Sequence, residues 1–436
     1  MAFTGQTGEK LKLKELIAMG VGGMIGGGIF SVLGLSVGFA GNTAPLSFLI
    51  DMLIALFAGY HYVKLALTFR DDGASYTYLR RAFPEKPYIA GIEGWTVIVG
   101  YIGTLALYSF TFGAYGADLM GFPGSQTVRV LLSASVLLFF LFVNLKGVKS
   151  SGLTEDLIVY SKIAILLLFG LIGLSQVDTE KLIPSFDRGI HSVFLGAAVI
   201  FVAYEGFQLI TNAVLETEDP DKNIPAGIYG SIIITGIIYL LLAVVAVGTL
   251  TFEELMSAKE YALAVVAEPI LGKWGRVLIG VGALLATSSA INSTLFGASR
   301  MMAEMAEEGM MPKPFMKRNR KGIPYVSLWS LSLFSLAFTL FGTLSIIAEF
   351  SSLTFLLVSI GVSLANLKLI NTTGANKNIA LTGLFLMSIT TLTIIIYLTA
   401  TNPEEIASIL ILYLTVGISA FLYIHRNLTR EKSNLH

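Results

Sequence analysis

Apolar runs of mostly 18 to 25 residues recur along this chain, and charged side chains cluster in the short segments between them. Each run is long enough to cross a hydrocarbon layer of roughly 30 Å as a helix rising 1.5 Å per residue. Lipid offers the backbone no hydrogen-bond partner, so such runs must satisfy their own N–H and C=O groups as helices. Only 13% of the 436 residues are charged and 54% are hydrophobic. A soluble interior cannot hide that much apolar surface. The sequence therefore predicts an all-α integral membrane protein.

The spans are expected near 15–39, 46–69, 92–117, 128–145, 153–175, 192–215, 226–250, 275–303, 326–341, 345–369, 378–399 and 405–424, twelve in all. The opening segment MAFTGQTGEKLKLKEL lacks a short apolar core followed by a small-residue cleavage site, so the first span is expected to stay in the mature chain. Of the 29 Lys and Arg, only Arg129, Lys181, Arg188, Lys259, Lys273 and Arg276 fall outside when the N-terminus is inside, and 21 fall in the cytoplasm. That bias predicts both termini cytoplasmic and a multi-pass protein of the cell membrane. There is no cysteine, hence no disulfide or thiolate metal site, and the formal net charge is zero. Nothing in that balance points to nucleic acid, and no cofactor is expected.

Two spans are poor candidates for continuous helices. The run GVGGMIGGG, from Gly20 to Gly28, has six glycines in nine residues, each costing a helix interior roughly 1 kcal/mol relative to Ala. Small residues also let membrane helices pack closely, but packing needs them on one stripe and these occupy every face. The alternative is an unwound stretch whose freed backbone groups bind a ligand. Five spans later, Glu205 and Gly206 interrupt FVAYEGFQLI. Equivalent interruptions in spans one and six fit a five-plus-five inverted repeat, about 15–175 and 192–369, with substrate at the midplane. A ten-helix core over 15–369 then carries two added helices at 378–424, between tails at 1–14 and 425–436.

Four segments resemble one transporter family in the right order. GVGGMIGGGIF (20–30) resembles the glycine-rich first span of amino acid–polyamine–organocation transporters, and GASYTYLRRAFP (73–84) the loop after their second. AYEGFQLITNAVLETEDPDKNIP (203–225) resembles their sixth span and following loop, and NSTLFGASRMMAEMAEEGMMP (292–312) their eighth span and exit. The resemblance covers roughly residues 10 to 425. It implies the sodium-coupled leucine-transporter architecture and secondary active transport of amino acids by alternating access, most similar to sodium-independent, proton-coupled prokaryotic members. The sequence does not name the substrate; a neutral, medium-sized amino acid is the default expectation.

A zwitterion at the midplane needs clustered donors for its carboxylate and clustered acceptors for its ammonium. N–H groups at the start of the first helix's second half, near Gly26, Gly27 and Gly28, suit the carboxylate. Carbonyls ending its first half, near Gly23, Met24 and Ile25, suit the ammonium. The resemblance adds sixth-span carbonyls near Phe201, Val202 and Glu205; Tyr204 and Phe207 either close over the side chain or simply pack, the commoner role of aromatics in apolar helices. An intramembrane acid such as Glu205 is either a protonated structural group or a functional one, titrating with transport or favouring a cationic substrate. Many relatives carry their acid three positions on, where this chain has Gln208, so no family role passes to Glu205.

Lys162 lies at least about nine residues from either end of its span, too deep to snorkel. It must find carbonyl and hydroxyl partners, lose its proton, or alternate, and alternation is what a proton carrier requires. The resemblance places it where sodium-coupled relatives hold an ion between spans one and eight, with Gly22, Ile25, Ser288 and Ser289 as partners. A permanently charged structural lysine is the competing reading. Lys64 is expected to snorkel to headgroups, His61 to be a packed polar residue, and Asp51, Glu93, Asp118 and Glu349 to lie near span ends. Segment 251–272 reads as short amphipathic helices. An exchanger and a transporter-like nutrient sensor use the same site, whereas an enzyme lacks a convergent set of acids, bases or metal ligands.

Overall fold

The computed structural model of the chain describes residues 10–70, 75–147, 152–183, 186 and 188–433, apart from the side chains of 152–156 and 428–433. The expected tails at 1–9 and 434–436, and Gly73 and Ala74 of the second-span loop motif, lie outside the described residues.

The order is α1 (Leu13–Met24), α2 (Gly28–Ala40), α3 (Ala44–Phe69), α4 (Ser75–Ala82), α5 (Pro87–Leu119), α6 (Gln126–Lys146), α7 (Gly152–Leu174) and α8 (Ile190–Ile200). Two 3-10 turns, Phe201–Tyr204 and Phe207–Ala213, continue from α8. Then follow α9 (Pro220–Thr249), α10 (Phe252–Ser257), α11 (Ala262–Glu307), α12 (Tyr325–Phe341), α13 (Leu344–Lys368), α14 (Ile370–Thr373), α15 (Lys377–Thr401) and α16 (Pro403–Ser433). Local chemistry sets many boundaries. Pro87 and Pro220 open α5 and α9, where a missing N–H costs nothing. Thr343 and Asn376 accept from the first-turn amides of α13 and α15. Gly147 ends α6 in the left-handed region at φ 72.

Ten helical stretches among the described residues are long and apolar enough to cross a membrane, by length and composition. Twelve were expected. The difference has two sources: α2 and α3 run together through a three-residue 3-10 turn into one 42-residue stretch, Gly28–Phe69, and α12 is a shorter apolar helix of 17 residues. The segment expected as short helices contains α10 and the start of α11, which is kinked at Gly272.

The fold is hydrophobic on its outside as well as its inside. Leu131, Phe139, Leu171, Ile237, Phe334, Phe385 and Ile411 are all exposed, a surface suited to lipid. Inside, α5 is the central post, packing on α11, α6, α13, α12 and α16, while α9 packs on α3 and α1. Leu11 donates to Glu216 O at 2.8 Å and accepts from Glu218 N at 2.8 Å, tying the chain before α1 to the segment after the sixth-span break.

The acids expected near span ends, Asp51, Glu93, Asp118 and Glu349, lie within about two turns of their helix ends, and all four are buried. Asp51 is fully buried and neither of its carboxylate oxygens has a hydrogen-bond partner. Glu93 and Glu349 are also buried, each with one unpartnered oxygen. Asp118 is buried but paired with Arg276. Lys64 reaches the Gly374 carbonyl at 3.3 Å and lies over the Tyr60 ring, so a helix-end acceptor, rather than a headgroup, receives its ammonium. His61 Nδ1 lies 3.0 Å from Asn366 Nδ2, a polar contact within the bundle.

Candidate functional site

The first and sixth spans are both interrupted, and the interruptions touch. Between α1 and α2 the backbone leaves the helix at Ile25, with φ −83 and ψ 49, and re-enters at Gly28. Between α8 and the second 3-10 turn, Glu205 is extended at φ −66 and ψ 127, and Gly206 takes φ 140, which L side chains rarely adopt. A Cβ on Gly206 would lie 2.6 Å from Gly23 C and Met24 N, and one on Gly23 would lie 3.0 Å from Gly206 Cα. Main chain meets main chain there, which only residues without side chains permit.

Around this crossing the predicted residues are placed as follows. Gly23 faces Gly206, and Met24 is buried with its carbonyl accepting from the Tyr239 hydroxyl at 2.7 Å. Ile25 donates its N–H to Val21 O at 2.8 Å, closing the last turn of α1. Gly26 meets Ala290 of α11 and the Tyr108 ring of α5. Gly27 caps α2, and its carbonyl accepts from Ser31 Oγ at 2.6 Å. Gly28 faces Tyr239 and Ala203. Thus the C-terminal end of α1, where helix carbonyls run out of partners, and the N-terminal end of α2, where amides do, stand next to each other at the break.

The sixth-span residues Phe201, Val202, Tyr204 and Phe207 are all buried, and Phe207 meets Tyr62 edge-on at 5.6 Å. Tyr204 donates to Phe48 O at 3.0 Å, fixing its ring against α3. Glu205 is 9% exposed. It lines a cavity of about 40 Å³ with Tyr62, Tyr101, Gln208, Asn212 and Phe355, a lining without any residue from 23 to 28. Gln208 Oε1 accepts the Gly206 N–H at 2.9 Å, so it holds the break itself.

Lys162, only 3% exposed, donates from Nζ to Gly22 O at 3.0 Å. Gly22 also gives room to Val159, since a Cβ there would lie 2.9 Å from its Cγ2. The fifth span is therefore fastened to α1 just before the break. Ser288 and Ser289 are half-buried on α11, immediately before Ala290, which meets Gly26.

Residues that sequence reasoning missed hold the two breaks in register. Tyr239 of α9 donates to Met24 O at 2.7 Å and lies 3.1 Å from Ala203 O, so one hydroxyl proton is shared between carbonyls of both interrupted helices. Ser352 of α13 accepts the Val202 N–H at 2.9 Å and donates to Val199 O at 2.6 Å. Tyr239 lies in the run IIYLLL and Ser352 in EFSSLTF. No local signal distinguishes such residues from ordinary packing. Among the described residues no group of three or more His, Cys, Asp or Glu is placed to hold a metal ion.

Broken helices crossing at glycine, inside a bundle with an apolar exterior, are the features of a membrane carrier. The chain matches the amino acid permease family model over residues 11–424 and belongs to that family. It is 31% identical to an uncharacterized protein of Methanocaldococcus jannaschii over 97% of each chain. It is 28% identical to the inner membrane transport protein YbaT of Escherichia coli, over 89% of this chain and 90% of the other. With the branched-chain amino acid permease BcaP of Bacillus subtilis it shares 26% identity over 82% of each chain. It is a multi-pass membrane protein whose relatives are amino-acid permeases and transporters.

Proposed function

We propose that this protein moves amino acids across the cell membrane by alternating access, coupled to protons and independent of sodium. Counting α1 with α2 as one interrupted pass, α3 as the second and α12 as the ninth gives twelve passes. On this reading the first ten form the five-plus-five inverted repeat, about 15–175 and 192–369, and α15 and α16 are additions, with both termini in the cytoplasm. The substrate zwitterion lies at the crossing of the two breaks. Its carboxylate meets the N–H groups of Gly26, Gly27 and Gly28, and its ammonium the carbonyls of Gly23, Met24 and Ile25 and of the Phe201 to Glu205 segment.

The observation that carries proton coupling is the bond from Lys162 Nζ to Gly22 O. A buried ammonium clamps α7 to α1 beside the substrate carbonyls through a charge-assisted bond, and the neutral amine holds the same carbonyl more weakly. Proton movement and helix movement are thereby linked through one contact. The test is uptake into proteoliposomes under imposed pH or sodium gradients, for the wild type and Lys162→Ala. We expect wild-type uptake to follow the pH gradient and ignore sodium, with the Ala variant unresponsive to the pH gradient. Sodium-driven uptake indifferent to pH would refute the reading, and a variant that still follows the gradient would move coupling away from Lys162. Counterflow against net uptake in the same vesicles separates a symporter from an exchanger or a sensor.

A further inference from the structure

Asp51 is a buried carboxyl that the transport scheme above leaves unused. It sits in the second turn of α3, is 0% exposed, and neither oxygen has a hydrogen-bond partner. Among the described residues it is the only carboxyl with both oxygens in that condition. Its flanking turn is tied to the sixth span. Ser47 Oγ donates to Val193 O at 2.9 Å, and the Phe48 carbonyl accepts from Tyr204 at 3.0 Å. Asp51 lies near enough to the phenols of Tyr204, from the first 3-10 turn, and Tyr239, from α9, to act on both electrostatically. Among the described residues neither oxygen pairs with a charged group of α2, α8, α13 or α15. Tyr204 and Tyr239 pack edge-on at 5.3 Å, and Tyr239 in turn holds carbonyls of both helix breaks.

A bare carboxylate in that position, with no donor and no counter-ion, costs several kcal/mol. The neutral acid removes the charge but leaves its O–H without an acceptor. Neither form is satisfied in this arrangement, so the group gains partners only when the packing around it changes. Two of the elements beside it belong to the proposed substrate site: the sixth-span break, which Tyr204 ties to α3, and α9, whose Tyr239 spans both breaks.

We propose that Asp51 is a second proton-binding site of the transport cycle. It accepts a proton from water when the surrounding helices part towards one side, carries it as the neutral acid through this closed arrangement, and returns it to water on the other side. The proton enters and leaves as such, and no other bond is made or broken. This inference rests on the proton-driven reading of the proposed function.

The experiment compares wild type, Asp51→Asn and Asp51→Glu in proteoliposomes and in detergent. Infrared difference spectra of wild type minus Asp51→Asn should contain the carbonyl stretch of a buried protonated carboxylic acid. Amino-acid exchange at equal pH on both sides should survive in Asp51→Asn, whereas accumulation driven by a pH gradient should fall at least about tenfold. Asp51→Glu should restore gradient-driven accumulation with a displaced pH profile. A proton-driven wild type matched by Asp51→Asn, or a difference spectrum without the carboxylic-acid band, overturns the inference and leaves the function standing. A wild type indifferent to the pH gradient overturns both. Should Asp51→Asn not fold, Asp51→Glu decides: an undisplaced pH profile refutes the role.

Discussion

Replacing Gly206 by alanine tests whether the contact between the two helix breaks is the substrate site. Two penalties act together. The backbone at φ 140 is strained for any L side chain, at about 1 to 3 kcal/mol. In addition, the new methyl would sit 2.6 Å from Gly23 C and Met24 N, so the interrupted helices must part by roughly 0.8 Å to reach ordinary contact at 3.4 Å. Neither neighbour is a flexible side chain that can turn aside. A displacement of that size moves the Met24 carbonyl relative to Ala203 O, which Tyr239 now spans. If the strain alone is relieved by leaving the binding geometry, affinity falls roughly 5- to 150-fold, and the collision adds to it. Gly121→Ala is the control, because Gly121 also has positive φ, at 81, but a Cβ there meets nothing within 4 Å. Binding is measured by isothermal titration of the purified protein with a panel of neutral amino acids, and folding by size-exclusion profile and thermal unfolding. The expected outcome is loss of affinity in Gly206→Ala alone, with both variants folded. Unchanged affinity in a folded Gly206→Ala protein would refute the assignment of the site to this crossing.

Three further outcomes follow from particular contacts. Tyr239→Phe removes the one donor shared by Met24 O and Ala203 O, worth about 0.5 to 1.5 kcal/mol; we expect a few-fold to tenfold change in substrate affinity with little change in unfolding temperature, and an unaltered affinity would show that the tie is dispensable. Arg276→Ala strips the guanidinium from Asp118, whose side chain is 1% exposed, and from Glu268 at 2.6 Å; stability should fall by about 3 kcal/mol, read as a lower unfolding temperature that Asp118→Asn in the same background partly restores. Glu254 is held below its ordinary value of 4.5, chiefly by the Thr251 amide of the α10 capping box. A lowered carboxyl contributes stability above 4.5 that disappears as pH falls through its folded value, so hydrogen exchange in α10 should quicken on acidification in the wild type but be pH-indifferent, beyond the intrinsic exchange rate, in Glu254→Gln.

How much of this was legible in the sequence depends on the range of the interaction responsible. The long apolar runs and their short charged interruptions follow from hydropathy, a property of consecutive residues, and they fix an all-helical membrane protein. The two breaks are local as well. The glycines from Gly20 to Gly28 and the pair Glu205 and Gly206 lower helix propensity where they stand, and the backbone departs from helix at Ile25 and at Glu205. The boundary between the first two spans was local too, since Gly41, Asn42 and Thr43 form the three-residue turn between α2 and α3, in the gap between the spans expected at 15–39 and 46–69.

Facing was not legible. These helices are apolar on nearly every side, so periodicity does not say which residue points inward. Only the tertiary structure sets Tyr239 across Met24 and Ala203 and turns Lys64 to Gly374, whereas the bond from Lys162 to the Gly22 carbonyl was expected through the family resemblance. Asp51 shows the difference most plainly. Its position in the chain gave the span end correctly, but only the packing of α3 against α8 and α9 leaves it without a hydrogen-bond partner among the described residues. The sequence by itself determined the class of protein and where its helices break, because insertion into lipid and helix propensity act on neighbouring residues. The tertiary structure alone decided which groups meet at those breaks, because that depends on the rotation of each helix against partners far away in the chain.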